Sequence, residues 1–174
     1  MKSKNKNITF SALMSALATA VMLLSFFPYL TYAVPAVAGL FIMIVVIEID
    51  LKWAIMSYIV SCAPIFLLAE NESKLLYIMF LGYYPIIKAL IEKVRKPVLE
   101  WAIKIFAFNC AVLLVYFVFA EMFGVSLDDL GEFGKWGVYI LLAVGNVVFV
   151  LYDIAISRMA MFYLNIVKPK FKKV

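Results

Sequence analysis

Six long apolar runs dominate the chain: Ile8–Phe27, Ala33–Ile49, Trp53–Ala69, Leu75–Ile91, Trp101–Met122 and Trp136–Ile166. About 20 helical residues cross a bilayer core roughly 30 Å thick. Inside that core every backbone N–H and C=O must be paired, which a helix achieves within its own segment. Hydrophobic residues make up 67% of the 174 positions, against about 45–50% in soluble domains. A soluble fold of this size cannot hide that much apolar surface. The sequence therefore predicts an all-α integral membrane bundle of six transmembrane helices, one domain over 1–174 with short tails at 1–7 and about 167–174. The first run follows a basic tail, as a signal peptide would. It is too long for one and no cleavage-like site leads into a polar chain, so it is read as a retained helix.

Orientation follows from the basic residues, which favour the cytoplasmic side of membrane helices. With the amino terminus inside, all 16 Lys and Arg residues except Lys74 and Lys135 fall on inner segments. Both termini are then cytoplasmic, which requires an even number of spans. The outer loops carry Glu70, Glu72, Glu121, Asp128, Asp129 and Glu132. The net charge of +5 needs no nucleic acid, because basic tails lie naturally against anionic inner-leaflet lipid of the plasma membrane. Trp53, Trp101 and Trp136 fall at span ends, where indole prefers to sit.

Histidine is absent, which removes the commonest general base and transition-metal ligand. Cys62 and Cys110 lie inside apolar runs and form no metal or redox spacing. No Gly-rich phosphate loop is visible. The chain is expected to be neither an enzyme nor the holder of a metal or cofactor. Pro64 and Pro85 are expected to kink helices three and four.

The sharpest local pattern is in helix one. Ala12, Ala16 and Ala20 recur every four residues, flanked by Ser11, Ser15 and Thr19. Residues four apart stack on one helix face, and small stripes let helices approach closely in lipid, where no hydrophobic force drives them together. The stripe serves either internal packing or docking onto another membrane subunit. A chain of this length, with six helices, a basic amino terminus and this stripe, resembles the substrate-binding S component of energy-coupling factor (ECF) vitamin transporters. The likeness covers the whole chain in layout and is motif-specific over helix one. It implies that Ala12, Ala16 and Ala20 meet a transmembrane coupling subunit and, through it, ATPase subunits on other chains. It further implies a vitamin-like small molecule bound from outside by the later helices and the loop after helix one.

A second group lies near mid-membrane: Asn109 in helix five, Asn146 in helix six, and Tyr83 and Tyr84 in helix four. Amides at that depth face the bundle interior. They either bond helix to helix or, with the aromatic faces, line a cavity for a flat heterocycle. In the cavity reading Glu121 and the loop residues Tyr29 and Tyr32 stand near its mouth. Asp153 needs a partner on a neighbouring helix, such as Lys88 or Lys104, because Arg158 sits on another face of its own helix. It acts as a structural ion pair or a proton relay. Two other classes stay open: a structural scaffold subunit of the cell-shape machinery type, and a channel made by oligomerisation.

Overall fold

The computed structural model describes residues 2–27, 29–94, 96–114 and 137–171. Glu121, the acidic loop from Gly124 to Lys135, Trp136 and the basic Arg95, Lys172 and Lys173 lie outside the described residues. The regular elements among the described residues are all helical. They are α1 (Lys2–Met22), α2 (Ala33–Glu48), α3 (Leu51–Leu68), α4 (Asn71–Leu76), α5 (Tyr84–Ile91), α6 (Pro97–Leu114), α7 (Gly137–Phe162) and α8 (Lys168–Phe171). α1 starts ahead of the expected position, so basic residues at the amino terminus are already helical.

Five helical stretches are long and apolar enough to cross a membrane: Lys4–Phe26, Leu51–Leu68, Asn71–Val94, Pro97–Leu114 and Leu142–Val167. Large apolar side chains such as Leu67, Val98 and Phe106 face outward, the arrangement of a multi-pass membrane protein. α2 is apolar but only 16 residues long, about 24 Å at 1.5 Å per residue.

Local chemistry sets the breaks. Asp50 caps α3 by accepting the Trp53 backbone N–H at 2.9 Å, and Glu70 caps α4 by accepting that of Ser73 at 3.0 Å. Each satisfies a donor that a helix start leaves unpaired. Pro64 sits within an unbroken α3. The expected fourth helix is instead two pieces, α4 and α5, joined by a π-helical turn at Tyr77–Leu81, and Pro85 occupies the first turn of α5. That turn widens the helix and frees carbonyls, and tyrosines from two other helices take them. Tyr58 OH donates to the Ile78 carbonyl at 2.5 Å and Tyr152 OH to that of Leu81 at 3.1 Å.

α2 is the hub, packing against α1, α3, α4, α5 and α7. Its buried positions cover more than one face: Val34, Ala38, Ile42 and Val45 on one side, Pro35, Gly39 and Met43 beside them. Gly39 makes the closest approach. A Cβ there would lie 2.5 Å from the Leu81 carbonyl oxygen and 3.0 Å from Tyr152 OH. At the end of α2, Lys168 pairs with Glu48 at 3.1 Å and ties the end of the described chain to the hub.

Candidate functional site

The two small-residue rows of α1 point in different directions. Ser11, Ser15, Ala18 and Met22 are buried, whereas Ala12, Ala16 and Ala20 are exposed. The serines make the internal seam with α3. Ser15 Oγ donates to the Ser57 carbonyl at 3.0 Å, and Ser57 Oγ reaches the Ser11 carbonyl at 3.5 Å. Ala54 and Ser61 of α3 are buried as well, and Ser61 Oγ meets the Tyr77 hydroxyl at 2.8 Å. Close approach of α1 to α3 thus uses the serines, and the alanine row remains as a narrow outer face without bulk.

Between α5, α6 and α7 lies a packed group of rings. Phe80 is at its centre, with ring centroids 5.2 Å from Tyr84, 5.1 Å from Phe108 and 5.6 Å from Phe149. Phe108 and Phe149 stack at 4.7 Å. Tyr83 meets Tyr58 and Phe80 edge-on at 6.0 and 6.3 Å. Tyr84 turns its hydroxyl to Asp153, donating to Oδ1 at 2.5 Å. Tyr83 and Tyr84 therefore share one aromatic group around Phe80.

Asn109 and Asn146 form a reciprocal amide pair. Each Nδ2 donates to the other's Oδ1 at 3.0 Å. Each spends its second N–H on its own helix, Asn109 on the Ile105 carbonyl at 2.8 Å and Asn146 on that of Leu142 at 2.7 Å. Both donors of both amides are used within the chain.

A charged cluster closes the end of the bundle nearest the α5–α6 connector. Asp153 accepts from Lys88 and, at 3.2–3.3 Å, from Lys104. Lys88 also pairs with Glu92 at 2.9 Å, and Lys104 with Glu100 at 2.7 Å and Glu92 at 3.6 Å. The side chains of Lys88, Lys104 and Asp153 are 6%, 2% and 5% exposed, while Glu92 at 46% reaches solvent. Charges so far from water persist only when paired. Asp153 therefore has both expected partners, and Tyr84 as a third donor. The sequence carried a signal for the whole cluster: Lys88 and Glu92 before the connector, Glu100 and Lys104 after it, each four apart in mirrored order. Four-residue spacing puts each pair on one helix face.

At the opposite end, the loop after α1 is clasped to α4. Tyr32 OH donates to Glu72 Oε2 at 2.9 Å, Ser73 Oγ to the Thr31 carbonyl at 2.7 Å, and the Glu70 N–H to Ser25 Oγ at 3.2 Å. The hydrogen bond to the Glu72 carboxylate holds the Tyr32 phenol above its ordinary range. Tyr29 has φ 72°, a left-handed conformation that non-glycine residues rarely adopt, and its side chain is 98% exposed. Tyr29 and Tyr32 thus lie apart from the ring group around Phe80 in hydrogen bonding and exposure. Among the described residues no group of His, Cys, Asp and Glu could hold a metal ion. No family model, no curated protein and no solved structure matches this chain.

Proposed function

We propose that this chain is the membrane-embedded, substrate-binding S component of an ECF-type uptake system for a vitamin-like micronutrient. In this reading it crosses the plasma membrane six times, α2 being the sixth span, with both termini in the cytoplasm and basic tails on anionic lipid. It docks through Ala12, Ala16 and Ala20 onto a separate coupling subunit, which brings the ATPases. One observation carries the reading: the alanine row is exposed while the serines of the same helix make its internal seam. That division of labour favours docking over internal packing as the purpose of the stripe. The ligand lies among Tyr83, Tyr84 and the Phe80 rings, with Asn109 and Asn146 close by and Glu121, Tyr29 and Tyr32 toward the entrance.

The test is co-purification with coupling subunits. Ala16→Trp should leave the chain folded and abolish their recovery, since a large ring holds a partner helix away from close packing worth on the order of 1 kcal/mol. Equal recovery of the partners with wild type and variant would remove the docking role. A search of the purified protein by mass spectrometry for a bound heterocycle tests the ligand.

A second reading has its own support. The amides of Asn109 and Asn146 satisfy each other and their own helices, and Phe80 packs among the rings of the expected site. Polar groups acting only as interhelical glue suit a scaffold subunit of the cell-shape type. A protein repeatedly purified without a small molecule, and with shape-machinery proteins attached, would favour it.

A further inference from the structure

We propose that α6 is a hinged helix that swings away from α5 and α7, and that the charged seam holding it is built to separate without stranding a charge. Among the described residues α6 buries only Lys104, Phe108 and Ala111. In lipid no hydrophobic force holds helices together, so a helix is kept in place by close packing and polar contacts. Beside the Phe108 ring stacked on Phe149, what holds α6 is its polar contacts, and each charged one has a second partner on its own side of the seam.

If α6 leaves, Lys104 keeps Glu100, one turn away on the same helix at 2.7 Å. Across the seam, Asp153 keeps Lys88 and the Tyr84 hydroxyl. Glu92 keeps Lys88 at 2.9 Å and is already partly in solvent. The amide pair keeps half of its bonds: on parting, Asn109 retains the Ile105 carbonyl and Asn146 that of Leu142, while each amide gives up the N–H bond to the other. An ion pair made only for strength leaves bare charges when broken, at high cost. Here the duplicate partners remove that cost. Pro97 begins α6 directly after the non-helical Lys96, so α6 is a separate element from the turn at Glu92–Val94.

The swing deepens the binding-subunit reading, on which it rests for its purpose: it opens a lateral path to the rings around Phe80 for a flat apolar ligand. Its test needs neither ligand nor partner. Spin labels go on Phe106→Cys in α6 and Ile59→Cys in α3, both exposed, in a chain carrying Cys62→Ala and Cys110→Ala. Leu13→Cys in α1 with Ile59→Cys is the control pair. Pulsed electron-electron distances are measured in lipid nanodiscs.

Wild type should show a second population longer by about 10 Å, one helix diameter. Lys104→Met, which removes the ionic tie, should enlarge it. Glu100→Gln should shrink it, because the remaining counter-ions of Lys104, Asp153 and Glu92, lie across the seam. The control distance should not change. A purely structural cluster predicts that both variants loosen the bundle alike. A single wild-type distance, both variants moving in one direction, or an unmoved Glu100→Gln arm overturns the proposal. If Lys104→Met does not fold, the Glu100→Gln arm decides. Failure to find any bound small molecule would sink the binding reading and leave the swing standing. A single distance would sink the swing and leave the alanine face untouched.

Discussion

Asp153 is the buried carboxylate at which the buried ammonium groups of Lys88 and Lys104 meet. Removing one partner of a buried pair costs about 3–5 kcal/mol, so Asp153→Asn should lower the unfolding midpoint in detergent sharply. Lys88→Met should cost less, since Lys104 still answers Asp153; equal losses would show that the aspartate is not the centre. The asparagines make a softer prediction. Interhelical hydrogen bonds in membranes are worth about 0.6–2 kcal/mol, and Asn109→Leu or Asn146→Leu removes the same pair. The double variant should therefore cost little more than either single one in a double-mutant cycle; additive losses would mean separate partners. Asp153 was legible in the sequence because a carboxylate at membrane depth demands a cation, and only a few lysines lay within reach. The amide pairing was not, since depth alone does not tell whether an asparagine faces a ligand or another asparagine.

Elements were read well where hydropathy decides and poorly where backbone geometry does. The apolar runs matched the described helix ends to within a few residues, except at the start of α1 and across the broken fourth run. They could not reveal the π-helical turn at Tyr77–Leu81, which leaves the apolar pattern unchanged and depends on Tyr58 and Tyr152 arriving from other helices. Pro64 and Pro85 carried equal weight as expected kinks, yet Pro64 stays within α3 and Pro85 sits in the first turn of α5. The difference lies in position, since a first-turn proline has no intrahelical hydrogen bond to lose. At the hub, Gly39→Val should destabilise by about 1–3 kcal/mol through overpacking, because its side chain would press on a carbonyl rather than on a flexible group. Thermal unfolding checks this, with the exposed Val37→Ala as a control; a Gly39→Val midpoint matching that control would mean that α2 can shift at no cost. The outward turn of the alanine row was also beyond the sequence, which offers two small rows on one helix and no means of choosing between them.

At the scale of the molecule, the basic asymmetry yields a testable arrangement. Impermeant thiol reagents applied to intact cells should label Leu130→Cys and spare Asn5→Cys and Lys172→Cys. Labelling of position 5 with protection of 130 would invert the topology. The all-helical architecture was legible because lipid permits so few alternatives, whereas the contact order of the helices was not, and it gives α2 its place at the centre. That placement bears on biogenesis. On the proposed six-span reading, a segment of 16 residues is shorter than a hydrocarbon core of roughly 30 Å, and α1 and α3 pack closely against it. Its stable residence therefore depends on neighbours synthesised before and after it. Nascent chains released after α2 should then remain open to proteases, and those extended through α3 should become resistant as a three-helix unit; resistance already present after α2 would mean that it needs no later neighbour.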